Sequence, residues 1–239
     1  MRTTFSVIVD DFEAALIPII EIVNEQQRQG SSARARVASV HAATLLLAAS
    51  FEEFIREMAK EYVSQIVYRV KKISELPDAL YETAWRRTFD RLMKVKAQGR
   101  TKLEAHQVAA NRARPAFDAL FDFFDGDITK LSIENLIHNE NNMRGREINN
   151  LFKVGGISDI CSKICKKPSV KKFFEVDDEG KAHGRLLAAL EDFFERRNEI
   201  AHSLNTASSA SPQTIIRDVE LFKALANDLL ETLEEKLAD

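Results

Sequence analysis

The chain has 239 residues, 45% hydrophobic and 30% charged, with a net charge of −3. That mix is globular and excludes a wholly disordered chain. Glycine (8) and proline (5) together make about 5% of the residues, far too few turn formers for an all-β sandwich or barrel.

In chain order, residues 3–29 place Phe5, Ile8, Val9, Phe12, Leu16, Ile19, Ile20 and Val23 at three- and four-residue steps, the period of an amphipathic helix. Pro18 predicts a kink there, or a helix starting nearer to it. Gly30, Ser31 and Ser32 mark a stop and a new start. A second pattern then runs from Ala33 to about Lys72, through Leu47, Phe51, Ile55, Met58 and Tyr62. Unbroken, it would be ~60 Å long, so a bend or break is expected. Shorter helical segments follow near 79–96, 102–124, 133–138, 145–152 and 157–165, punctuated by Pro77, Gly99, Gly126, Gly155, Gly156 and Pro168. Two strong helices close the chain, at about 181–203 and 212–237, the latter with Ser211 as N-cap and Pro212 in its first position. The polar connection 204–211 is short enough to make them antiparallel neighbours. The expected architecture is all-α and single-domain over 1–239. Its core is a bundle of about 1–72 and 180–239, and 73–179 forms an inserted helical subdomain.

Apolar runs such as Ala42–Ala49 are far shorter than the ~20 residues of a membrane span, so no membrane partner is expected. Asp10, Asp11 and Glu13 interrupt the first apolar stretch, which therefore lacks the signature of a secretory signal. Two cysteines build no disulfide framework and point to a reducing, cytoplasmic setting. Cys161 and Cys165 stand four apart without a second pair or a histidine at ligand spacing, so neither a zinc site nor any other metal or cofactor is expected. No phosphate-binding glycine loop and no Gly-x-Ser-x-Gly elbow is present.

Charge is uneven along the chain. Residues 86–114 carry nine Lys/Arg against Asp90 and Glu104; residues 141–172 carry eight against Glu147 and Asp159. A charge run is ordinarily a solvated helix face. Two basic blocks in a net-acidic protein, however, suggest contact with a polyanion.

The chemistry-bearing segment is 186–202. Its apolar positions Leu186, Leu187, Leu190, Phe193, Phe194, Ile200 and Ala201 define one broad face expected to be buried, and Arg197 falls within that stripe. A permanently charged guanidinium on the core side needs a carboxylate, a phosphate or an open cleft. Asn198 and His202, four apart, share a flank; Arg197 and His202 are about 140° apart around the axis and converge only through the length of the arginine or where the helix ends or loosens near Ser203. A structural reading is also available: Arg197 paired with a buried glutamate, and His202 placed at a helix C-terminus where a cation is favoured.

The run Arg197-Asn-Glu-Ile-Ala-His202 resembles the Arg-x4-His motif of the HEPN superfamily (higher eukaryotes and prokaryotes nucleotide-binding domains), particularly the RiboL-PSP-like branch. As in that family, the motif ends the penultimate helix and precedes a short polar loop and one last helix. The run Leu45-Leu-Leu-Ala-Ala-Ser-Phe-Glu-Glu-Phe-Ile-Arg-Glu57 is similar to the early family helix whose acidic residue faces the motif. The resemblance covers roughly 35–70 and 180–238. It implies a HEPN-type bundle, a helical insertion between the second core helix and the motif helix, and a homodimer with a site shared across the two-fold axis. It further implies a metal-independent endoribonuclease of phage defence or toxin-antitoxin systems, restrained by an antitoxin or a defence-system partner. In such a site His202 takes the proton of a ribose 2′-hydroxyl, Arg197 stabilises charge on the phosphate, and Asn198 orients His202 or holds a phosphate oxygen. Glu52 would fix Arg197, with Glu53 as the alternative. Arg196, Lys166, Lys167, Lys171 and Lys172 would bind RNA backbone. The competing implication is a non-catalytic HEPN module that binds RNA or nucleotide or acts as a scaffold.

Overall fold

A computed structural model describes residues 2–25, 32–138, 141–202 and 211–238. Among them every regular element is helical, and the all-α expectation holds. The helices are α1 (Thr4–Glu25), α2 (Ala33–Arg69), α3 (Asp78–Met93), α4 (Lys102–Phe124), α5 (Ile133–Leu136), α6 (Gly145–Val154), α7 (Ile160–Ile164), α8 (Pro168–Phe173), α9 (Glu179–His202) and α10 (Pro212–Ala238).

Neither a helix start near Pro18 nor a break in the second helix occurs. α1 begins well before Pro18 and continues past it, with the proline exposed. α2 is a single continuous helix of 37 residues, about 56 Å long at 1.5 Å per residue. It survives unbroken because packing supports most of its length: Val40, Leu47, Phe51, Ile55, Met58, Tyr62 and Val63 are all buried. Its start is fixed by Ser32, whose side chain accepts a hydrogen bond from the Ala35 N–H at 3.2 Å. Among the described residues, α2 is the one helix long and apolar enough to cross a membrane by length and composition. In the fold, its apolar face packs against α1, α9 and α10.

The bundle of α1, α2, α9 and α10 is centred on phenylalanines. The Phe51 ring stacks on Phe222 at 4.0 Å, Phe12 stacks on Phe54 at 4.4 Å, and Phe193 meets Phe222 edge-on at 4.9 Å. Such pairs contribute about 0.5–1.5 kcal/mol beyond burial itself. α10 starts as the sequence predicts, with Ser211 Oγ accepting the Thr214 N–H at 3.1 Å. The connecting residues 203–210 lie outside the described residues. α9 and α10 run antiparallel and touch through Phe193–Phe222 and Arg196–Asp218.

The segment 73–179 divides into two parts. α3 and α4 pair as an outer hairpin, with α5 against α3. α6, α7 and α8 instead form part of the core, α7 and α8 each packing against both α9 and α10 and α6 against α2 and α9. Their Ile148, Phe152, Ile160, Cys161, Ile164, Cys165 and Val170 are fully buried. Helix α8 begins at Pro168, which the sequence marks as a break and which here occupies the first helical turn. Its free N–H groups are satisfied from α10: the buried Asp228 carboxylate accepts Ser169 N–H at 3.1 Å and Val170 N–H at 2.7 Å.

α6 comes close to α2 at Gly155, where any Cβ would press against the buried Tyr62 ring at 2.6 Å. Asp228 is the more consequential contact, because its removal leaves two amides unpaired at once. Asp228→Ala is expected to cost about 2–4 kcal/mol in urea denaturation, the scale for losing hydrogen bonds to a charged group in the interior. A cost below about 0.5 kcal/mol would show that α8 is held by its apolar contacts alone.

Candidate functional site

The site forms where α2, the end of α9 and residues 141–145 meet. Phe193 and Phe194 are fully buried and anchor α9 just before the motif. Phe51 contacts the Phe194 ring at 6.3 Å and stacks on Phe222. These contacts fix α2 and α9 in register, so that Glu52, the next residue on α2, comes to the motif helix.

Glu52 is half-buried and accepts a hydrogen bond from the Met143 N–H. Burial raises its carboxyl above the ordinary carboxylate range, against the opposing pull of Arg197, Arg56 and the Met143 N–H. Glu53 is exposed and bonds Arg56 Nη2 at 2.7 Å, which lowers its carboxyl. Of the two glutamates left open by the sequence, Glu52 is the one that interacts with Arg197. The physical reason is angular: consecutive helical residues lie about 100° apart, and only one can face α9.

Arg197 is half-buried, and its Nη1 donates to Asn198 Oδ1 at 3.2 Å. The same oxygen accepts from Asn142 Nδ2 at 2.8 Å. His202 is the last described residue of α9 and is exposed. Asn198 thus holds the Arg197 guanidinium and is itself held from the central segment. Asn142 and the Met143 N–H are site contributors that residue patterns do not reveal, since they lie between helices with no periodicity to mark them. Their placement is reinforced by an ion pair from Arg144 to Glu191 on α9. Gly145 adds to it: a Cβ there would collide with Leu187 of α9.

The remaining predicted site residues lie elsewhere. Arg196 turns toward α10, where its Nη2 bonds Asp218 Oδ2 at 2.6 Å and its guanidinium lies 5.8 Å from the Phe193 ring centre. Arg196 and Arg197 therefore serve different sides of α9. Lys166 is exposed just before α8. Lys167 is ion-paired with Glu235 and lies 3.9 Å from Glu231, both on α10. Lys171 is half-buried, and the exposed Lys172 borders a groove of about 1200 Å³ between α9 and α10, together with Arg185, Arg196 and Arg217. The structure brings Glu52, Arg197 and Asn198 together, with His202 one turn beyond, and leaves the α8 lysines and Arg196 on the α10 side.

Burial raises the Cys161 thiol well above the ordinary range and Cys165 to about 12, so both stay protonated packing groups. Cys161 Sγ contacts the Gly145 carbonyl at 3.7 Å and supports residues 141–145 from below. No cluster of three or more His, Cys, Asp or Glu side chains suited to a metal ion occurs among the described residues.

A helical bundle whose penultimate helix ends in Arg-x4-His, with an acidic residue of an early helix against the arginine, defines a HEPN-type domain. The chain belongs to the RiboL-PSP-HEPN family, whose model matches residues 10–235. That match runs through the central segment, which the motif resemblance alone does not reach, and fits a chain whose α6–α8 are part of the core. Comparison with curated proteins and with solved structures finds no match.

The Arg196–Asp218 pair has a measurable pH signature. Burial lifts the Asp218 carboxyl to about 6 despite the attraction of Arg196. A carboxyl with a folded pKa above its unfolded value of about 3.9 contributes most to stability at low pH. That contribution is lost as pH rises through about 6. The stability of wild type relative to Asp218→Asn should therefore fall between pH 4 and 6.5, with a slope of up to about 1.4 kcal/mol per pH unit. Parallel stability curves for the two proteins would contradict the assignment.

Proposed function

We propose that this HEPN protein is a metal-independent endoribonuclease, with Arg197, Asn198, His202 and Glu52 as its active residues. The observation that carries the reading is the half-buried Arg197, hydrogen-bonded to Asn198 and within the electrostatic reach of Glu52, on the helix that carries the exposed His202. His202 accepts the proton of the ribose 2′-hydroxyl as the 2′-oxygen attacks the adjacent phosphorus. Arg197 offers its planar fork of donors to the oxygens on which charge grows. The bond to the 5′-oxygen breaks, that oxygen takes a proton, and the products are a 2′,3′-cyclic phosphate and a 5′-hydroxyl. Glu52 and Asn198 are positioning residues that hold the guanidinium in one orientation.

The protein acts as a homodimer in this reading. Ala42, Leu45, Leu46 and Ala49 form an exposed apolar stripe on α2, one turn before Glu52, and burying it against a second copy would set two Arg-x4-His motifs into one cleft. A second His202 would then supply the proton to the leaving oxygen. An unrestrained nuclease is toxic, so the setting is a cytoplasmic phage-defence or toxin-antitoxin system with a restraining partner.

A second reading has its own support. The hydrogen bond to Asn198 already engages Arg197, as it would in a module that binds RNA or nucleotide without cleaving it. Cleavage assays decide between the two. Arg197→Ala and His202→Ala are each expected to slow cleavage by about 10² or more while remaining folded, and wild-type cleavage is expected to survive EDTA. A 2′-deoxy nucleotide at the scissile position should resist. Equal cleavage of the 2′-deoxy substrate, or full activity of His202→Ala, would transfer support to the binding module.

Light scattering tests the assembly separately. The wild type should run at twice the monomer mass of 27.1 kDa, and Leu46→Arg should run as the monomer. A wild type that is monomeric at micromolar concentration would rule out the shared site.

A further inference from the structure

The two basic segments of the chain, far apart in sequence, meet in space. A cleft of about 830 Å³ lies between α3 and α6. One wall carries Arg86, Arg87 and Lys94 from the first basic segment; the other carries Arg146 and Lys153 from the second. Three carboxylates, Glu82, Asp90 and Glu147, share the lining, leaving the cations in excess.

Arg86, Arg146 and Lys153 are exposed, and they make no ion pair among the described residues. Arg146, Asn150 and Lys153 stand at steps of four and three on α6, a ladder about 10 Å long on one face. Two guanidiniums on opposite walls, with an amide and a lysine further along the α6 wall, suit a chain of phosphates, which arginine engages through paired donors. The spread of the charges over the cleft suits an extended polyanion better than one small anion.

Beside the cleft, α3 carries an aromatic face. Trp85 and Phe89 stack at 5.7 Å with their planes 10° apart, and the half-exposed Phe89 is three residues from Arg86, about 60° away around the helix. Cations along a groove with an accessible aromatic ring at its edge are how single-stranded nucleic acids are held, backbone in the groove and bases on the ring.

The cleft also leads somewhere. Asn141, Arg146 and Glu147 line it and line a neighbouring depression of about 540 Å³. That depression reaches Asn142 and Glu191, and Asn142 bonds Asn198 beside Arg197. We infer that the α3–α6 cleft is a backbone-binding track for single-stranded RNA that delivers the strand to the Arg197 site. The direction of the track and the choice of RNA rest on the ribonuclease reading; the anion site rests on the cleft alone.

The test uses the full-length protein and a fluorescent, uncleavable 2′-O-methyl RNA 20-mer. Affinity is measured by anisotropy between 50 and 200 mM salt. Compared with wild type, Arg86→Glu/Arg146→Glu/Lys153→Glu should bind at least 10-fold more weakly at 50 mM salt. Its slope of log affinity against log salt should be shallower by about 2, for three lost contacts at about 0.7 each. The neutral variant Arg86→Gln/Arg146→Gln/Lys153→Gln should shift the same way by less, with circular dichroism like wild type. Unchanged affinity and slope in the neutral variant, or no binding by wild type, would overturn the track. So would displacement of the RNA by polyglutamate at equal charge concentration, which would mark a site for acidic protein. Cleavage by wild type is scored separately: its absence, with the binding losses intact, would refute the nuclease and leave the cleft standing.

Discussion

Arg197 is a permanently charged group on the inner side of a helix, half removed from water, and that position constrains everything around it. Withdrawing a guanidinium from solvent costs several kcal/mol unless charge and hydrogen bonds compensate. Glu52 supplies the charge, at the expense of its own ionisation, since burial pushes its carboxyl up while Arg197 pulls it down. Asn198 supplies a hydrogen bond from the adjacent position on the same helix. Neither partner is positioned by its own helix alone. Glu52 needs the Phe51–Phe222 stack and the Met143 N–H, and Asn198 needs the Asn142 amide. An aromatic core and an interhelical segment 56 residues away thus converge on one guanidinium.

The position of α6, α7 and α8 follows from the same geometry. They pack against α9, with α7 and α8 filling its gap to α10, and their buried side chains belong to the main core. This placement carries residues 141–145 onto α9, where Arg144 pairs with Glu191 and Gly145 leaves room for the Leu187 side chain. It also separates the two flanks of α9. Arg196 and Arg197, about 100° apart, face different environments: a buried carboxylate of α10 on one flank, the glutamate of α2 on the other. Only the second flank leads on to the exposed end of the helix and His202.

How much of this could be read from residues alone depends on the range of the interaction. Helices stabilised by their own apolar period, such as α1, α2, α9 and α10, are legible, and so is the Ser211 cap, because the signals are local. α8 was hidden because Pro168 reads equally as a stop and as a first-turn residue, and the group that caps it, Asp228, is 59 residues from Ser169. The continuity of α2 was hidden because length argues for a break, whereas its support comes from α1, α9 and α10. Arg197 was legible as an anomaly of the apolar stripe. Its partner could be narrowed only to Glu52 or Glu53, since helix phase over 145 residues cannot be fixed without the packing. Asn142 carried no local signal at all.

Charge counted along the sequence also differs from charge available to a ligand. Lys167 is neutralised by Glu235, Arg144 by Glu191, Arg196 by Asp218 and Arg56 by Glu53. In a protein of net charge −3, the positive potential that remains belongs to cations without such partners. Arg86, Arg146 and Lys153 share one cleft, whereas Lys167, equally basic in sequence, lies against carboxylates of the last helix. A phosphate chain approaching this surface gains most where it displaces no existing ion pair. By that criterion Arg86, Arg146 and Lys153 are better placed to receive it than Lys167, whose ammonium Glu235 already holds.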